Sequence, residues 1–91
     1  MVIIELTYKK PLDTVEQHLL AHRDFLTSFY TEGMFIASGP KVPRDGGIIL
    51  AQTTKDKAQE IIKQDPFYIN GITDYKIIEF TPSRYNWPVS N

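Results

Sequence analysis

His22 and Asp65 are the residues of this chain best placed to move a proton. Val15, Leu19, His22, Leu26 and Phe29 recur at three- and four-residue steps, so His22 falls in the middle of an apolar helical stripe. An imidazole turned toward a core is costly unless a polar partner meets it. Asp65 stands before a proline, in Asp65-Pro66-Phe67-Tyr68. The residue before proline is driven out of the helical region. Its carboxylate is therefore expected at a helix end rather than along a solvated face. The central expectation is that the fold brings His22 and Asp65 into one cleft. A histidine titrates near neutrality and can pass a proton in either direction. A neighbouring carboxylate fixes its tautomer and stabilises the imidazolium. The chain has no cysteine and no Gly-x-Ser-x-Gly elbow. The pair would therefore work as a general acid/base, in proton abstraction beside a carbonyl, isomerisation or elimination. The residue types equally allow a core histidine satisfied by a structural carboxylate.

Other residues could line such a cleft. Ser38, before Gly39-Pro40, can hydrogen-bond a substrate, or it is a plain turn serine. Phe67 and Tyr68 could dry the cleft and orient a bound ring, or simply pack in the core. His18 and His22 are spaced like two metal ligands, but His18 lies toward the edge of the stripe and is expected to face solvent. No metal or cofactor is expected. Arg23 can meet an anionic substrate, yet a surface pairing with Asp24 or a glutamate is the favoured reading. Gly46-Gly47 lacks the Lys-Ser/Thr of a phosphate loop and precedes a strand, so it reads as a hairpin turn.

The elements that must position these residues follow from periodicity. Residues 1–8 are β-branched and aromatic-rich and predict a strand, with Val2, Ile4, Leu6 and Tyr8 on one face. Asp13, with Glu16 three residues on, signals a helix over residues 14–31, closed by Gly33 as a left-handed cap. Residues 34–38 and 48–52 predict two more strands; the second is apolar on both faces and belongs in mid-sheet. Thr53 or Thr54 caps a helix through residue 64, and residues 72–81 alternate as a final strand ended by Pro82. The order β-α-β-β-α-β predicts an α+β, ferredoxin-like fold: a four-stranded antiparallel sheet with two helices on one face. One domain spans residues 1–82, and residues 83–91 form a tail whose Tyr85 and Trp87 should pack on the domain or a neighbour. The uncovered sheet face carries enough apolar residues to expect a second copy against it.

Bulk properties narrow the classes. Ninety-one residues make one domain with a thin core. A net charge of −1 gives no electrostatic case for nucleic acid or an anionic membrane. The absence of cysteine fits a reducing compartment, and the N-terminal apolar run is interrupted at Glu5, so no membrane segment and a cytoplasmic location are expected.

Three short motifs, in this order and on this frame, resemble the YciI-like family of the dimeric α+β barrel superfamily. They are His22 within Leu19-Leu20-Ala21-His22-Arg23-Asp24-Phe25-Leu26, then Ser38-Gly39-Pro40, then Asp65-Pro66-Phe67. The resemblance covers the chain from Met1 to about Pro82. It implies a homodimer whose open sheet faces pack together, and a cleft where the helix histidine meets the Asp-Pro aspartate as an acid–base site. By that resemblance His22 and Asp65 would be catalytic, and the Gly39-Pro40 turn would line the cleft. The implied activity is lyase- or isomerase-type chemistry on a small cyclic or aromatic compound. A non-catalytic small-molecule-binding module, or a structural dimeric one, is the alternative.

Overall fold

The computed structural model describes residues 1–84 and 86; the expected packing of Tyr85 and Trp87 lies outside the described residues. β1 (Val2–Tyr8) runs antiparallel to β3 (Gly46–Ala51) on one side and to β4 (Thr73–Glu79) on the other. β2 (Phe35–Pro40) adds outside β3, giving the order β2-β3-β1-β4. The apolar runs of β1 and β3 are thus central, each strand paired on both sides. Val2, Ile4 and Leu6 of β1 pair with Ala51, Ile49 and Gly47 and face the helices, where Phe25, Phe29, Ala58 and Ile61 cover them. The opposite face carries Ile3, Leu50 and Ile78 side by side, with Ala37 beyond Leu50. Among the described residues no helix is long and apolar enough to cross a membrane.

The single helix expected over residues 14–31 is two. α1 (Leu12–Gln17) and α2 (Leu19–Thr31) meet at His18, whose φ of −111° and ψ of 6° leave the helix. The first closes on a tight bond from the His18 N–H to the Val15 carbonyl, 3.0 Å, and the second opens with the His18 carbonyl accepting from His22 N–H. Neither proline nor glycine marks the spot, so local sequence does not announce the break. His18 is a half-exposed hinge between helices. The start differs too. Pro11 precedes the first turn, where its fixed φ and missing N–H are harmless, and the Asp13 carboxylate accepts from neighbouring Thr14 instead of capping. Thr54 does cap α3 (Lys55–Ile62), accepting from Lys57 N–H at 3.2 Å, and Gly33 takes the left-handed conformation expected of it, φ 77°.

Gly46 and Gly47 are strand residues, not a turn. A Cβ on Gly46 would lie 1.8 Å from the Leu6 carbonyl oxygen, so glycine is what lets β3 approach β1 at this end. The chain reverses in the preceding residues. A bulge between Phe35 and Ala37 shifts the register of β2 by one. Without it, alternation from Phe35 would put Ser38 and Pro40 on the open face; with it, Ser38 and Pro40 pair with Ile49 and Gly47 and join the helix side.

Candidate active site

Asp65-Pro66 builds the site from local rules. Proline holds Asp65 extended, φ −72° and ψ 125°, and serves as the first residue of a one-turn helix, α4 (Pro66–Ile69). Asp65 Oδ1 caps that turn by accepting from the Phe67 N–H at 2.9 Å. The same oxygen accepts from His22 Nδ1 at 2.8 Å, across 43 positions of chain. Oδ2 accepts from the Tyr75 hydroxyl at 2.8 Å. Asp65 is completely buried, and three donors compensate what its carboxylate lost in leaving water.

The motif also supplies the imidazole with a platform. Phe67, two residues on, stacks on the His22 ring at 4.0 Å between centroids and 4° between planes. Phe25 flanks the other neighbourhood of His22 at 6.2 Å, and Tyr8 meets Phe67 edge-on. Only 8% of His22 is exposed. Its orientation is therefore set twice, by Asp65 through Nδ1 and by Phe67 through the ring face.

A cavity of about 440 Å³ opens beside this assembly, between α2 and the adjoining ends of the strands. Its walls are largely apolar, with Leu6, Leu19 and Leu26, and His22, Ser38, Gly39, Pro40 and Phe67 all line it. Asp65 lies behind His22, out of the cavity. Tyr68 is not among the lining residues; it is half-exposed and lies against Tyr75, 6.0 Å between centroids. The position of Tyr68 is a correction to the sequence expectation: in the short helix α4 consecutive side chains diverge, so only Phe67 turns inward. The Ser38 hydroxyl is paired with the Tyr30 hydroxyl at 2.7 Å. Gly39-Pro40 lie inside β2 rather than beyond its end.

Tyr75, Arg44 and Glu16 are polar residues of the site that the sequence patterns do not mark. Tyr75 occupies the helix-facing phase of β4, opposite Leu6, and that phase becomes visible only once register is known. Burial, and then the charge of Asp65, push its pKa well above the ordinary tyrosine value, so it stays a donor. Arg44 and Glu16 line the cavity as an ion pair at 3.3 Å. Arg23, expected to pair on the surface, lines the cavity instead and has no salt bridge among the described residues. Nor do the described residues contain a cluster of three or more His, Asp or Glu able to hold a metal.

The family model of the YCII-related domain matches residues 1–81, nearly the whole chain. The chain belongs to this family. No curated protein matches it. Among solved structures it is similar to the 5-chloro-2-hydroxyhydroquinone dehydrochlorinase of Burkholderia phenoliruptrix, in complex with 2,5-dihydroxybenzoquinone. The two share 15% identity and a TM-score of 0.72, over 89% of this chain and 94% of the other. A YCII-related domain of this kind is thus an α+β sandwich whose histidine helix and Asp-Pro turn converge beside a cavity.

Proposed function

We propose that this YCII-related domain is an enzyme that moves a proton on a small cyclic or aromatic compound, in lyase- or isomerase-type chemistry. The observation that carries this reading is the His22 Nδ1 to Asp65 Oδ1 contact of 2.8 Å, with the ring at the cavity wall. The carboxylate oxygen accepts, so the ring proton belongs on Nδ1 and the Nε2 lone pair is left for the substrate. In this reading Nε2 takes a proton from a substrate carbon or hydroxyl. Asp65 stabilises the imidazolium that forms. The proton then returns at another atom in an isomerisation, or stays while a leaving group departs in an elimination. Asp65 and Tyr75 act as positioning residues, since neither lines the cavity. The apolar, ring-lined walls suit a planar organic molecule, and the structurally similar dehydrochlorinase, solved with a six-membered ring compound, supports that substrate class.

The working form in this reading is a homodimer through the open sheet faces. Ala37, Leu50, Ile3 and Ile78 form one apolar row across all four strands, and Ile78 and Phe80 remain 45% and 41% exposed. A second copy would cover that row.

The deciding experiment is proton exchange. The protein is incubated in D₂O with hydroxylated and halogenated hydroquinones and benzoquinones, and ring deuteration or halide release is followed by NMR and ion analysis. His22→Gln and Asp65→Asn should each lower the rate by roughly 10²- to 10⁴-fold, the usual worth of a positioned acid/base group. Equal rates in wild type and His22→Gln refute the assignment. The near-complete burial of His22 favours one other reading, a binding module in which the histidine is structural. That reading expects ligands to raise the melting temperature and to be recovered without deuterium.

A further inference from the structure

We infer that the cavity takes an anionic ring compound, bearing a carboxylate or an acidic phenolate or enolate oxygen, with Arg23 as its counter-ion. The inference deepens the proposed function, and rests on the cavity beside His22 being where substrate binds. Three charged residues line that cavity: Arg23, Arg44 and Glu16. Glu16 and Arg44 are committed to each other, Nη2 to Oε2 at 3.3 Å. The Tyr8 hydroxyl, first, and then Glu16 raise the Arg44 pKa further, so that pair remains charged. Arg23 has neither partner. Its backbone carbonyl accepts from the Thr27 hydroxyl, but its guanidinium joins no salt bridge among the described residues. The lining therefore carries one uncompensated positive charge, in a chain whose net charge is −1.

The location of that charge gives it chemical sense. Arg23 directly follows His22 on α2, so one helical step separates the base from the cation. An anionic oxygen held by Arg23 fixes the ring against the apolar wall and leaves its far edge near the imidazole. A planar guanidinium is suited to this, since its paired N–H groups meet carboxylate or enolate oxygens in a fixed geometry. A neutral ring would leave the guanidinium without a counter-ion in the cavity. Glu16 tunes the preference, because it cancels Arg44 and limits the net charge of the cavity to that of Arg23.

Calorimetric titration of the full chain with matched probes tests this. Benzoate is compared with benzamide, and pentafluorophenol, ionised at neutral pH, with pentafluoroanisole. At least one anion should bind about fivefold or more tightly than its neutral partner, the scale of a partly solvated ion pair. A preference in the first pair assigns a carboxylate, and in the second a phenolate-type oxygen. Arg23→Gln, at an exposed position, should erase the preference, and Glu16→Gln should enlarge it. Equal binding within both pairs, no binding by any probe, or a preference that survives Arg23→Gln overturns the inference. His22→Gln separates it from the acid–base assignment. Retained anion preference with lost exchange supports both, and retained exchange refutes only the role of His22.

Discussion

Tyr75→Phe isolates one bond in the interior of this protein. The substitution keeps the ring that packs against the core and removes the hydroxyl that donates to Asp65 Oδ2 at 2.8 Å. Asp65 is fully buried, so the vacated oxygen has no water to turn to. A hydrogen bond to a charged group contributes about 1.5–3 kcal/mol, and the lower half of that range suits a tyrosine that is itself partly exposed. Urea denaturation at pH 7.5 should therefore find Tyr75→Phe less stable by about 1.5–2 kcal/mol. The pH dependence of this difference adds a second check. Burial, and then the Asp65 charge, raise the folded-state pKa of Tyr75 above its ordinary 10.0. A group whose folded pKa is raised binds its proton more tightly when folded. Its contribution is complete below the unfolded value and declines as pH climbs beyond it. The gap between wild type and Tyr75→Phe should hold from neutral pH to about pH 10 and shrink above it. A gap below about 0.5 kcal/mol at pH 7.5 would mean that Asp65 does not need this donor. A gap that widens in alkali would reverse the sign and refute the account of Tyr75 as a buried neutral donor.

Two further substitutions test other parts of the structure. Gly46→Ala places a methyl group 1.8 Å from the Leu6 carbonyl oxygen, where backbone must move; a loss of roughly 2–4 kcal/mol, read from the urea midpoint, is expected, with weaker ligand binding because Gly46 lines the cavity. Leu50→Lys puts a charge in the middle of the apolar row on the open sheet face; sedimentation should find a monomer where the wild type is a dimer, with the melting transition broadly kept, and a wild type that sediments as a monomer removes the proposed sheet-to-sheet interface.

Much of the frame could be read from short-range rules. β-Branched and apolar runs located β1 and β3, period-two alternation located β4, Thr54 and Gly33 marked helix ends, and Asp65-Pro66 announced a carboxylate at a helix terminus. These signals are local, because backbone sterics and capping act within a few residues. The meeting of His22 and Asp65 was also legible, in a different way: a histidine inside an apolar stripe is a polar group that must be answered. The break at His18, the phase of Ser38 and Pro40, and the identity of Gly46-Gly47 as strand rather than turn were not legible, since each depends on what lies across the sheet or beneath the helix.

By itself the sequence determined the kind of chemistry open to this protein: a neutral-range base, a carboxylate to orient it, no thiol, and a sandwich large enough for one cleft. Tertiary structure alone decided which further groups share that cleft. Tyr75 reaches Asp65 because β4 pairs with β1 in one register and not the next, and Arg23 lines the cavity because the strand ends that complete its wall lie against α2. Both outcomes depend on contacts between segments far apart in the chain, and only the closed fold supplies the energies that choose among them.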